Sequence, residues 1–232
     1  MQVSEIINDV RKELLETTGS FWNDAELLRL YNRGIKDFVS KTRILEDSAV
    51  LSLQVGRNDY PLPSNWTSAS AVFHKKTSDN AQIDYRRLRP SNLEKQAQER
   101  PHFLDTSAER RDRPRRYWIW NKTLYIDPAP KEVEDADLTL FYKSKPVTVT
   151  DTSQSVEIDV DFTEALNAYI LWKAWMKEQE TDLADSQAII YMSYVQQALK
   201  WRKRQSGDQR YRLDIDSPYG IDSSYNTGFY PW

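Results

Sequence analysis

The sequence predicts an α+β fold: a helical bundle built from N- and C-terminal helices, a small antiparallel β insertion between them, and an extended C-terminal tail. Three observations predict it. Near both ends of the chain, apolar residues recur at three- and four-residue steps, the mark of helices with one buried face. In the middle the period shortens toward alternation, broken by Gly, Pro and Asn turn signals. After residue 205 neither period survives, yet aromatics remain dense. The expected divisions are 1–45 for a helical hairpin, 46–158 for the β-rich insertion, 159–205 for the closing helices and 206–232 for the tail.

The first helix is read from Val3 to Glu16, on Val3, Ile6, Ile7, Val10 and Leu14, with Gly19 marking its end. The second runs from about Asp24 to Lys41 on a stripe of Leu27, Leu28, Tyr31, Ile35 and Phe38. Asn23 is its expected N-cap, with Glu26 at the capping-box spacing. Strands follow at Ala49–Val55, Ser70–Lys75, Tyr117–Trp120, Thr123–Ile126 and Asp137–Tyr142. Gly56 to Asp59 reads as a turn. Tyr60-Pro-Leu-Pro63 is barred from a central strand, because proline has no N–H for the ladder. Asn121-Lys122 is a two-residue hairpin signal. Ser91 to Arg100 reads as a short helix capped by Ser91. The closing pair begins after Val160, with Asp161 and Glu164 at capping-box spacing and a broad apolar face of Phe162, Leu166, Tyr169, Ile170, Trp172, Trp175 and Met176. The last helix runs from about Leu183 to Arg204 on Ala184, Ala188, Tyr191, Met192, Val195 and Leu199. Its final turn carries Lys200, Arg202, Lys203 and Arg204, suited to the negative end of the helix dipole.

Composition narrows the function classes. The 232 residues include no Cys, which excludes a disulfide scaffold, a thiolate metal site and a Cys nucleophile. A formal net charge of −3 argues against a general nucleic-acid coat. No apolar run approaches the ~20 residues of a membrane span. There is no phosphate-cradling glycine loop and no nucleophile elbow. His74 and His102 lack metal-ligand spacing and read as surface or loop residues. Asp214, Asp216 and Asp222 lack the spacing and glycine of a calcium loop. No catalytic residue, metal or cofactor is therefore expected.

Two segments point to partners instead. Arg110, Arg111, Arg113, Arg115 and Arg116 fall within seven residues. Bidentate docking on acidic protein ranks first for them, a solvated loop second and a nucleic-acid backbone third. The tail carries Tyr211, Tyr219, Tyr225, Phe229, Tyr230 and Trp232. Disordered tails have few aromatics, and fixing each residue costs ~1–2 kcal/mol, so the tail is expected to lie on another surface. Contact with another chain ranks ahead of a strap on its own subunit.

The order of parts carries a resemblance. Trp22-Asn-Asp24-Ala-Glu-Leu27-Leu28 is followed by Tyr31-Asn32 and Ile35, then by Tyr60-Pro-Leu-Pro63 with Trp66. Arg113-Pro114 leads to Tyr117, then Ile126-Asp-Pro128-Ala-Pro130, Leu138-Thr-Leu-Phe-Tyr142 and Lys145-Pro146. Glu157-Ile-Asp159 and Phe162-Thr-Glu-Ala-Leu166 open the closing helices. Across residues 3 to 204 this series resembles the head-to-tail adaptor proteins of tailed bacteriophages, including the tail accessory factor of P22-like phages; the tail lies outside the common pattern.

The resemblance implies a structural virion protein at the head–tail junction, made in the host cytoplasm and acting in genome packaging and ejection. It implies a homo-oligomeric ring, usually dodecameric, beneath the portal protein. The ring would extend the channel for double-stranded DNA, without sequence-specific binding, and offer a platform to the tail or nozzle protein. On this reading Lys200, Arg202, Lys203, Arg204 and the six tail aromatics meet the portal. The Arg110–Arg116 loop, Trp172 and Trp175 meet neighbours or the tail side. Two alternatives stay open: another ring-forming virion component, such as a head completion or tail tube protein, and a small cytoplasmic enzyme with a β-rich insertion.

Overall fold

A computed structural model describes residues 1–16, 21–77, 83–131 and 137–205. Both ends of the chain build one helical core. Helix α1 (Val3–Glu13) buries Val3, Ile6, Ile7 and Val10. Helix α2 (Asp24–Thr42) starts on the expected cap: Asn23 Oδ1 accepts the Glu26 N–H at 2.8 Å. It stops where Arg43 turns left-handed (φ 51°) and its N–H reaches the Val39 carbonyl. Helices α4 (Thr163–Glu178) and α5 (Thr181–Gln205) close the bundle, and Phe38, Phe162, Tyr169 and Tyr191 join the two ends of the chain through ring contacts.

Helices α2 and α4 approach closely at Gly34 of α2. A Cβ there would lie 2.8 Å from Tyr169 Cδ1 of α4, so the glycine lets the two helices meet. Residues 149–158 pack here too: Val149 and Ile158 belong to the helical core, and Gln2 bridges to Ser155.

The middle of the chain forms a second core between two four-stranded sheets, where the sequence suggests one small sheet. The first has the order β1 (Glu46–Ser52), β8 (Asp137–Ser144), β3 (Trp66–Thr77), β4 (Ile83–Arg87). The second runs β2 (Asp59–Pro61), β7 (Thr123–Asp127), β6 (Arg116–Trp120), β5 (Arg89–Pro90). All pairs are antiparallel except β5 with β6. Val72, Leu138, Leu140 and Tyr142 of the first sheet meet Tyr60, Tyr117, Leu124 and Ile126 of the second. Pro61 sits on an edge strand, as its missing N–H requires.

Several expected details move. The short helix is α3 (Leu93–Glu99), and its cap is Asn92, not Ser91: Asn92 Oδ1 accepts the Lys95 N–H at 2.7 Å. Asp161 does not open α4. Asp159 instead accepts the Asp161 N–H and caps a 3₁₀ turn over Val160–Phe162, from which α4 runs on. Met176 and Met192 lie outside the core, 55% and 46% exposed. Gly19 and the tail lie outside the described residues.

The β6–β7 hairpin turns on Asn121 (φ 45°) and Lys122 (φ 59°), both left-handed as a type I′ turn requires. Lysine is strained there by ~1 kcal/mol, whereas glycine is not. Lys122→Gly is therefore expected to raise stability by about 0.5–1 kcal/mol, read as a higher urea midpoint at unchanged slope.

Candidate interaction surfaces

The arginine-rich loop folds onto its own chain. Arg110 pairs with Asp105 at 2.9 Å, and Arg111 Nε donates to the Thr106 carbonyl at 2.8 Å. Arg111 also packs against the Gly56 turn (φ 73°), where a Cβ would lie 2.8 Å from its Cζ. Arg113 donates from Nη1 to Asp84 at 2.6 Å and from Nε to His74 Nδ1 at 3.2 Å. Arg115 pairs with Asp112 at 2.8 Å. Arg116 pairs with Glu99, and its hydrogen bond holds that carboxyl below the usual carboxylate range. The loop thus ties β3, β4 and α3 together, and of the five only Arg110 and Arg115 are exposed, each still in an ion pair. His74 is not a surface residue. It lies buried on the inner face of the first sheet, facing Arg113. His102 is in an exposed loop.

At the end of α5 the cations divide. Arg202 turns inward and donates to the Thr42 carbonyl at 2.5 Å, stopping the C-terminal end of α2. Lys200, Lys203 and Arg204 are exposed. Trp172 and Trp175 are half-buried against the helical core. Trp172 stacks on Tyr191 with centroids 6.2 Å apart, and Lys173 Nζ sits 3.3 Å from its ring centre. Tyr211, Tyr219, Tyr225, Phe229, Tyr230 and Trp232 lie outside the described residues. Among the described residues, no ion pair or ring contact joins the five loop arginines to Trp172 or Trp175.

Two apolar surfaces escaped the sequence reading. Helix α5 buries only Ala184, Tyr191, Val195 and Ala198 of its 25 residues. It leaves Leu183, Ile189, Ile190 and Met192 exposed, Ile189 by 71%. The outer face of the first sheet exposes Val50, Phe141 and Tyr85, with Phe73 edge-on to Phe141 at 5.9 Å. Ile189-Ile190, off the stripe read for this helix, was the available signal for the first. The second needed the register. Among the described residues, no group of three His, Cys, Asp or Glu side chains is placed to hold a metal, and no helix is long and apolar enough to cross a membrane.

No curated protein matches the chain. The family of the SU10 adaptor protein matches it over residues 1–218, well beyond the helices and into the tail segment that the resemblance had left out. With apolar faces left for partners and a match across most of its length, the chain belongs to the SU10 adaptor protein family and is a structural head-to-tail adaptor of a bacteriophage.

Proposed function

We propose that copies of this chain close into a ring, twelve-membered as in the adaptors it resembles, seated beneath the portal protein. The ring continues the channel for double-stranded DNA, with no sequence-specific contact, and presents a platform to the tail or nozzle protein. The observation that carries this reading is the set of apolar side chains left uncovered on α5, Leu183, Ile189, Ile190 and Met192. Fully burying a wholly exposed side chain of this kind gains ~1.5–3 kcal/mol, and covering the part of these four still in water gains roughly half of that each. A closed ring covers them by setting one face of each copy against a different face of the next.

Portal contact is placed on Lys200, Lys203 and Arg204 at the end of α5 and on the aromatic tail. Arg202 supports that end from inside through Thr42. Contacts with neighbours or the tail side are placed on the Arg110–Arg116 loop and around Trp172 and Trp175. No catalytic step is assigned.

The test is the mass of the complex with purified portal rings. The wild-type chain should add as a complete ring. The double variant Ile189→Asp, Ile190→Asp should keep its helical circular dichroism and fail to complete one. A chain ending at Ser206 should fold and no longer join the portal. Normal rings from the double variant would overturn the α5 interface. Normal joining by the shortened chain would overturn the portal assignment.

A further inference from the structure

Between α2 and α4, on the side that α5 leaves uncovered, lies a notch of about 250 Å³. Four cations line it: Arg29 and Arg33 from α2, Lys173 and Lys177 from α4. The members of each pair are four residues apart, one helical turn, so each pair shares a face. One carboxylate serves them. Glu26 lies 2.7 Å from Lys177 and 3.7 Å from Arg29. Arg33 has no carboxylate within salt-bridge distance among the described residues. Asp37 is already engaged at 2.5 Å by both Lys41 and the Tyr191 hydroxyl. Positive charge is thus concentrated here on a chain whose net charge is −3.

The walls are aromatic. Lys173 lies over Trp172, and Lys177 lies 4.2 Å from the ring centre of Trp22. Tyr169 forms part of the lining, and Phe21 and Met176 stand exposed beside the lysines. Burial lowers the Lys173 ammonium, and Lys41 adds to this against the pull of Asp37. An arriving anion relieves that cost.

This combination fits an acidic peptide with apolar side chains better than a duplex. A duplex offers its phosphates on a convex surface much wider than the notch, and it has nothing to place against Phe21 and Met176. The tail after α5 contains a segment of the required kind. Residues 213–222, Leu-Asp-Ile-Asp-Ser-Pro-Tyr-Gly-Ile-Asp, carry Asp214, Asp216 and Asp222, no Lys or Arg, and Leu213, Ile215, Tyr219 and Ile221.

We infer that the α2–α4 notch of one copy receives residues 213–222 of the next copy. Asp carboxylates pair with Arg33 and Lys173, and the apolar residues cover Phe21 and Met176. The contact is heterologous, as a ring requires. The start of the tail is pinned at the C-terminal end of α2 by Arg202, whereas the notch opens toward the N-terminal end, about 20 Å back along the helix at Arg29. Tyr219 thereby passes from the portal set to this contact, and Tyr211 and Tyr225 to Trp232 remain for the portal. This inference deepens the proposed ring and rests on it.

The test is complementation between full-length chains. One carries Arg33→Glu and Lys173→Glu with an intact tail. The other carries Asp214→Asn, Asp216→Asn and Asp222→Asn with an intact notch. Mixed, they should co-purify through differential tags in 50 mM salt and separate in 500 mM, while neither pairs with itself. A labelled peptide of residues 213–222 should bind the second chain, and its Asp→Asn version at least tenfold more weakly, an arm that does not depend on the notch variant folding.

No association and no peptide binding would overturn the inference. Peptide binding without association between chains would place the segment in its own notch and overturn the transfer between copies. Retention of a labelled DNA duplex, lost in the Arg33→Glu, Lys173→Glu chain while the peptide does not bind, would make the notch a phosphate surface. Complete portal-bound rings formed without the complementation contact would sink this inference and leave the ring standing. Complementation without portal-bound rings would do the reverse.

Discussion

Replacing Gly34 by leucine is expected to lower the stability of the helical core by about 3 kcal/mol or more, and replacing it by alanine by about 1–2 kcal/mol. Propensity alone points the other way, since alanine gains ~1 kcal/mol over glycine inside a helix. The contact decides the sign. The new Cβ would lie 2.8, 3.2 and 3.5 Å from Tyr169 Cδ1, Cγ and Cβ. Those atoms belong to a ring already set edge-on to Trp172 and Tyr191, with centroids 5.8 and 5.3 Å away. The ring cannot swing aside without disturbing both, so α2 and α4 must separate. Urea unfolding checks this through the midpoint. An alanine variant as stable as the wild type would show that the crossing is loose.

Tyr191→Ala should cost about 3–5 kcal/mol, the range for deleting a fully buried aromatic side chain. Tyr191 is wholly buried, with Phe38, Tyr169 and Trp172 around its ring and Lys41 Nζ 5.2 Å from its centre. Tyr191→Phe isolates the hydroxyl, which donates to Asp37 Oδ2 at 2.5 Å, and should cost about 1–2 kcal/mol. The same hydroxyl gives an alkaline signature. Burial, then the Asp37 hydrogen bond, hold Tyr191 protonated far above the ordinary tyrosine range. Burial, with Glu157 adding, pushes Tyr31 up to about 12. Unfolded tyrosines ionise near pH 10, so above that point the unfolded chain has shed protons that the native chain keeps. The stability contributed by each group is complete below pH 10. It falls by about 1.4 kcal/mol per pH unit per tyrosine as pH rises, for Tyr31 until about 12. Denaturant midpoints measured from pH 9 to 12 should fall in the wild type and fall less steeply in Tyr191→Phe. Parallel slopes would remove Tyr191 from the account.

What could be read from the sequence was local. Asn23 with Glu26 announced the start of α2, and the pair formed. Asn121-Lys122 between two apolar runs gave a hairpin in register, and Pro61 kept its strand at an edge. What escaped was decided across long separations. Strand β4 is exposed at every position; Ile83 and Tyr85 alternate with Asp84 and Arg86 over only four residues, and it exists because β3 offers its edge. His74 and Arg113 look like surface residues until the fold brings them together across 39 positions. Five arginines within seven residues suggested docking on an acidic protein surface. Asp105 and Asp112 were within local reach of Arg110 and Arg115, but Asp84 and Glu99 lie in segments that sequence spacing does not connect to Arg113 and Arg116. Arg202 looked like a dipole partner for its own helix and serves Thr42 of another. Asn92 displaced Ser91 as a cap by one residue, a choice between near-equal candidates.

Because the first and last helices share one core and the sheets occupy the stretch between them, birth order matters. On the ribosome α1 and α2 emerge first, while their partners in α4 lie roughly 120 residues further on; at ~5–20 residues per second that is a delay of about 6–24 seconds. The sheets can assemble during this interval. Ile6, Leu27, Ile35 and Phe38 meanwhile wait in water for helices not yet translated, so the nascent chain passes through a stage that invites chaperone capture and ends only once α4 and α5 have emerged.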